Sequence, residues 1–216
     1  GPINVNRFFT PVEGYPSIAE VRKEPHQQYN IGGNWHTDHS YDQIPALGSM
    51  LYAKELPKVG GDTLFAGCAA AFDTLSEGMK STLRSLRAVH SSRHVFGKSA
   101  AIPDDMAELF GNADKALQDA EHPVVIKHPL SGRETLYVNP GFTTRFVGWT
   151  EKESNSLLAF LYEHISRPEH TYRFQWSKGA LAFWDNRATW HLAVNDYPGE
   201  TRLMHRITIE GEPLEP

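Results

Sequence analysis

Trp35-His36-Thr37-Asp38-His39 is the stretch on which the reading of this chain turns. An imidazole and a carboxylate stand two positions apart in a run that reads as extended strand. Side chains at i and i+2 of a strand leave the same face, so His36 and Asp38 can reach one metal ion together. By the same parity His39 faces away from both, which gives it a surface role or a place behind the ligands. Neutral imidazole with carboxylate suits iron, manganese or zinc. Two ligands leave such an ion under-coordinated, so a third must come from elsewhere in the chain.

The best source lies far downstream. Trp184-Asp185-Asn186-Arg187-Ala188-Thr189-Trp190-His191 is a strand-like run that ends on His191. Two histidines and one aspartate make a facial triad, which binds Fe(II) and leaves three positions open for co-substrate and oxygen. Arg187 in the same run reads as one half of a structural ion pair. Next, Arg202-Leu203-Met204-His205-Arg206 sets two guanidinium groups four residues apart in a predicted strand. They therefore share a face, with His205 on the other. Arginine grips carboxylates and similar anions in a bidentate fork, so this pair suggests anchors for anionic groups beside a metal.

Composition narrows the class. The 216 residues suffice for one sizeable core. A composition 40% hydrophobic and 22% charged is ordinary for a soluble globular protein. The net charge of −5, with no run of Lys or Arg, argues against nucleic acid as a partner. No apolar stretch approaches the roughly 20 residues of a membrane span, and no signal-peptide pattern is present. A cytoplasmic protein without a membrane partner is the expectation, and a homo-oligomer is left open. Cys68 stands alone, which forbids an internal disulfide and a Cys-based zinc cluster. His90, His94, His128, His164 and His170 carry no spacing signal and are expected at the surface. Gly1-Pro2 opens the chain without an initiator Met, and residues 1–216 read as a single domain lacking its N-terminal part.

The periodicities predict a mostly β protein with flanking helices. Strands are expected over 18–23, 48–53, 63–66, 171–176, 180–184 and 202–210. Gly60-Gly61-Asp62 is a tight turn. Residues 123–128 and 134–138 flank Pro129-Leu130-Ser131-Gly132-Arg133 as a hairpin. Ala70, Phe72, Leu75, Met79, Leu83 and Leu86 recur at helical steps and predict one amphipathic helix over 69–87. Thr150 with Glu153 is a capping box that opens a second helix, ending near Arg167-Pro168. Residues 91–119 are mixed, with a short helix at 104–110. They read either as a lid or as a plain surface connection.

Taken together, His36-Thr37-Asp38, Gly60-Gly61-Asp62-Thr63, Asn139-Pro140-Gly141-Phe142-Thr143-Thr144-Arg145, Trp184-Asp185-Asn186-Arg187, His191 and Arg202-Leu203-Met204-His205-Arg206 resemble the TauD/TfdA family of Fe(II)- and 2-oxoglutarate-dependent dioxygenases. Arg202 and Arg206 follow His191 by 11 and 15 residues, as in that family's pattern. The resemblance implies a double-stranded β-helix, or jelly roll. It implies Fe(II) held by His36, Asp38 and His191, with 2-oxoglutarate as co-substrate on Thr63 and Arg202. Arg206 would meet the substrate's anionic group, and Phe142 and Phe96 would line its pocket. The implied reaction is hydroxylation of a small anionic organic substrate by O2, with release of succinate and CO2. Where taurine-binding members carry polar groups around their substrate, the matching positions here are Asn6, Phe9 and Gly32. That implies a roomier, more apolar pocket, suited to a larger sulfonate, an alkyl sulfate or an aryloxyalkanoate. Two other readings of the triad are a zinc-dependent hydrolase and a non-catalytic jelly-roll binding module. The hydrolase leaves Thr63 and Arg202 without a task, and the module gives no reason for open metal positions.

Overall fold

The computed structural model describes residues 1–97 and 116–216. The expected helix at 104–110, and with it much of the 91–119 segment, lies outside the described residues. In chain order the strands and helices are β1 (Ile3–Asn4), β2 (Pro11–Val12), β3 (Tyr15–Lys23), β4 (Gly48–Glu55), β5 (Thr63–Gly67), α1 (Cys68–Asp73), α2 (Glu77–Arg84), β6 (Arg87–Ser91), α3 (Arg93–Phe96), β7 (Asp119–Pro123), β8 (Val125–Lys127), β9 (Glu134–Leu136), β10 (Thr143–Phe146), α4 (Glu151–Ile165), β11 (Thr171–Phe174), β12 (Leu181–Asp185), β13 (Thr189–Ala193) and β14 (Arg202–Ile209).

β14 alternates buried and half-buried residues along its whole length, the period of a strand with one face on a core. It lies between β4 and β3 in a sheet ordered β12-β4-β14-β3-β2, with β1 also paired to β14. A second sheet runs β11-β5-β13. Both are antiparallel throughout. The first sheet sends Leu51, Ala53, Ala182, Trp184 and Met204 into the gap between them, where Phe65 and Phe174 of the second sheet pack against them. The architecture is the expected double-stranded β-helix.

The other face of the second sheet is closed by helices. Ala66 and Trp190 pack there with Phe72 of α1, Leu83 of α2, and Leu158, Leu161 and Ile165 of α4. Successive residues of β13 therefore part company: Trp190 goes to the helices and His191 into the gap between the sheets. α4 opens on the expected capping box, with Thr150 Oγ1 accepting from the Glu153 amide and the Glu153 carboxylate accepting from the Thr150 amide. Among the described residues, no helix is long and apolar enough to cross a membrane.

Three expectations need correction. The single helix over 69–87 is two helices, α1 and α2, parted at Thr74-Leu75-Ser76. Ser76 caps α2, its hydroxyl accepting from the Met79 amide; a serine that competes for backbone donors favours a helix start over a helix interior. The expected strand over 35–39 is absent: His36 makes one isolated bridge, and the chain then turns through His39 at φ 58°. His90, His128 and His164 are buried, not at the surface. Each ring has a specific partner: Thr143 Oγ1 for His90, the Asp185 carboxylate for His128, and the Ala71 carbonyl for His164.

Candidate active site

Backbone pairing brings the two histidines together. The His36 amide donates to the His191 carbonyl at 3.1 Å, and the His191 amide returns the bond to the His36 carbonyl at 2.8 Å. Residues directly opposite in such a pair project to the same side, and the two imidazole centroids lie 4.1 Å apart. Asp38 arrives from the turn. Its Oδ1 lies 3.6 Å from His36 Nε2 and its Oδ2 3.7 Å from His191 Nε2. One ligand atom from each of the three falls within 4.8 Å of the other two, close enough to share one ion.

The donor chemistry fits a divalent transition metal. His36 Nδ1 donates to the Asn34 carbonyl at 2.8 Å, which leaves the Nε2 lone pair free for a metal. Burial pushes both imidazoles below their usual range, His191 well below it, with His36 beside it adding to the effect. Both are neutral near pH 7, the form that ligates. Burial opposes the Asp38 charge. Arg206, then His191, His36 and His39, outweigh it and hold the carboxyl well below its ordinary range. The cluster thus offers two neutral nitrogens and one anionic oxygen.

Glycine lets the chain close around His36. A Cβ on Gly141 would stand 2.7 Å from the His36 Cβ. The Gly141 carbonyl also meets His94 Nε2 at 2.9 Å. Neither contact had a periodic signal in the sequence, although Gly141 sits in a quoted motif. His39, as expected, is not part of the cluster. It is buried, not at the surface, and its Nδ1 pairs with Asp42 at 3.1 Å while its ring stacks on Tyr41.

Arg202 and Arg206 both point inward from β14, and His205 is on the opposite face, as parity requires. Arg206 Nη2 lies 2.7 Å from Asp38 Oδ2. Arg202 donates through Nε to the Gly61 carbonyl at 3.0 Å. Gly61 can present that carbonyl because its φ of +71° suits glycine. Among the described residues, Arg202 Nη2 and Arg206 Nε are both buried without a hydrogen-bond partner. Unpaired buried guanidinium nitrogens are costly, and burial pulls the Arg202 pKa below its ordinary value. Both arginines have donors to spare for an anion. Thr63 is buried and opposite Ala193. It lies two residues from Phe65, the partner of His191, so it shares the inward face with that histidine. Its Oγ1 accepts from Trp176 Nε1 at 3.0 Å. Arg187 makes its expected ion pair, with Asp185 at 2.6 Å.

A cleft of ≈ 810 Å³ opens over His36, Asp38 and Arg206. Phe96 and Phe142 line it, their rings 5.9 Å apart. Phe8 and Tyr41 extend the aromatic wall behind them. Asn6, Phe9 and Gly32 also border the cleft.

Comparison with known proteins finds relatives over most of this chain. Over 177 residues it is 38% identical to an alpha-ketoglutarate-dependent 2,4-dichlorophenoxyacetate dioxygenase of Burkholderia sp. (strain RASC), covering 82% of this chain and 58% of the relative. It is 38% identical over 182 residues to an alkylsulfatase of Acinetobacter baylyi, covering 83% of this chain and 57% of the relative. The chain thus spans less than two thirds of the length of these curated relatives. The crystal structure of a taurine dioxygenase from Burkholderia xenovorans superposes with a TM-score of 0.78 at 34% identity, covering 98% of this chain and 69% of that one. Residues 1–208 match the family described as taurine catabolism dioxygenase TauD, TfdA. With the triad, the paired arginines and the β-helix already in place, that match makes this chain a member of the TauD/TfdA family.

Proposed function

We propose that the protein is an Fe(II)- and 2-oxoglutarate-dependent dioxygenase. Its substrate is a small anionic organic molecule of the sulfonate, alkyl sulfate or aryloxyalkanoate class. Succinate and CO2 are the co-products. One observation carries the reading: a cluster of two histidines and one aspartate, with ligand atoms within 4.8 Å, sits below a cleft beside inward-facing arginines.

His36, Asp38 and His191 would hold the iron. When bound, iron with 2-oxoglutarate and O2 supplies an oxidant that replaces a substrate C–H by C–OH. This chain's own residues bind, orient and keep water out. Arg202 would take the distal carboxylate of 2-oxoglutarate with its unpartnered Nη2. Thr63 would donate its hydroxyl hydrogen to the same carboxylate, because Trp176 already fills an acceptor site on that oxygen. Arg206, whose Nε is free, would hold the substrate's anion, and Phe96 and Phe142 would pack its apolar part. Anchoring the anion turns one C–H bond toward the metal and makes the reaction effectively intramolecular. Hydroxylation at a carbon bearing a sulfate oxygen, a sulfonate sulfur or an aryloxy oxygen would yield a product in which that bond breaks.

The test is spectroscopic. Anaerobic Fe(II) plus 2-oxoglutarate should give a weak visible charge-transfer band. No band, together with unchanged 2-oxoglutarate affinity in Arg202→Ala, would refute the assignment. Succinate release screened across sulfonates, alkyl sulfates and aryloxyalkanoates then reads out the substrate class. An even response across the panel would remove the anchoring role from Arg206.

A further inference from the structure

A one-way chain of buried hydrogen bonds ends on Asp38. It starts at Trp184, whose indole N–H can only donate and gives its hydrogen to Asn186 Oδ1 at 2.9 Å. That contact settles which end of the Asn186 amide faces where. Asn186 Nδ2, also a donor only, then points at Ser49 Oγ at 3.3 Å. Arg206 Nη2, another pure donor, approaches the same hydroxyl at 3.5 Å. With donors on those sides, the single hydrogen of Ser49 goes to the acceptor found among the described residues, Asp38 Oδ2 at 2.7 Å.

The fold holds each link in place. Ser49 of β4 is opposite Trp184 of β12 and Thr208 of β14, in the middle of three paired strands. It is wholly buried, as is Asn186 nearly so. Thr37 ties the far side of the chain, its hydroxyl donating to the Asn186 carbonyl at 2.6 Å. The residue before Asp38 and the turn before His191 are thereby fastened together.

We infer that Ser49, oriented by Asn186 and Trp184, is a positioning residue that fixes the Asp38 carboxylate for metal binding. Its hydrogen occupies Oδ2 and leaves Oδ1, the oxygen nearer His36, for the ion. Arg206 caps the same Oδ2, but under the reading proposed above it is also the anchor for the substrate's anion. Ser49 gives its one hydrogen to Asp38 alone, whereas Arg206 shares its donors between Asp38 and the substrate. The inference rests on the proposed metal site.

The experiment is Mn(II) titration of the metal-free protein, followed by the electron paramagnetic resonance signal of free Mn(II), with no co-substrate present. Ser49→Ala should weaken Mn(II) binding about 10- to 100-fold, the range for loss of a group that hydrogen-bonds a metal ligand. Asn186→Asp should do the same, because its carboxylate offers Ser49 a rival acceptor. Ser49→Thr should restore binding. The thermal midpoint of each metal-free variant shows that the fold is retained. A folded Ser49→Ala that binds Mn(II) as tightly as wild type overturns the positioning role and leaves the metal site standing. A His36→Ala variant that binds Mn(II) as tightly as wild type overturns the metal site, and the role of Ser49 with it.

Discussion

Replacing Arg202 by Met should separate folding from co-substrate binding, with different signs. In the protein without co-substrate, the Arg202 guanidinium is buried, bonded to the Gly61 carbonyl through Nε and unpartnered at Nη2. Met keeps the volume and removes the buried charge. The lost hydrogen bond costs about 1 kcal/mol, and relief of the unpaired donor returns about 1–3 kcal/mol. Stability without 2-oxoglutarate should therefore hold or rise. Co-substrate binding should collapse. Truncating one partner of a buried, hydrogen-bonded charge pair costs about 2–5 kcal/mol. A loss of about 3 kcal/mol raises Kd roughly 150-fold. At 100 times the wild-type Kd, 2-oxoglutarate stabilises the wild type by about 2.7 kcal/mol. The same concentration would stabilise the variant by only about 0.3 kcal/mol by the same relation. For a domain of this size the shift in thermal midpoint should fall from roughly 5–11 °C to about 1 °C. The assay is thermal unfolding with Mn(II), with and without 2-oxoglutarate. A variant that keeps the full ligand-induced shift would refute the placement of the carboxylate on Arg202.

Three further outcomes follow from other parts of the fold. Burial holds His90 well below its ordinary pKa, with His122 adding to the effect, and burial also lowers His122. Below about pH 6.5 the unfolded chain takes up protons that the folded one does not, so stability is full above that pH and falls with acid, by at most about 1.4 kcal/mol per pH unit for His90. Urea unfolding at pH 7.5 and 5.5 should show a smaller acid loss in His90→Asn; an unchanged loss would show that His90 is not held neutral. Gly141→Ala should weaken Mn(II) binding, since its methyl would stand 2.7 Å from the His36 Cβ and displace the ligand; isothermal titration that finds wild-type affinity would contradict this. Thr150→Ala should lower stability by about 1 kcal/mol through loss of the α4 cap and leave Mn(II) affinity untouched; a change in affinity would mean that α4 acts on the metal site.

Local patterns carried much of the fold and named the candidate site residues. Short runs beside turn residues marked parts of β3, β4, β5, β12 and β14, and the Thr150–Glu153 pair marked the start of α4, because these signals depend on neighbours a few residues apart. The same locality explains the failures. Six apolar residues at helical steps suggested one helix, and Ser76 then broke it by taking the Met79 amide. The isolated histidines looked like surface residues because burial depends on partners far off in sequence, such as Asp185 for His128.

The sequence by itself singled out the candidate metal- and anion-binding side chains: His36, Asp38, His191, Thr63, Arg202 and Arg206 were all named from residue type, spacing and family resemblance. The tertiary structure alone decided how they meet. Strand parity predicted that His36 and Asp38 share a face, but residues 37–42 turn through His39, so parity does not apply there. What brings the three candidate ligands together is the backbone bridge between His36 and His191 and the turn that swings Asp38 beneath them. Only the folded register could show Ser49, Asn186 and Trp184 stacked behind Asp38. Hydrogen-bond direction depends on which donors surround an atom, and strand pairing alone brings those donors together.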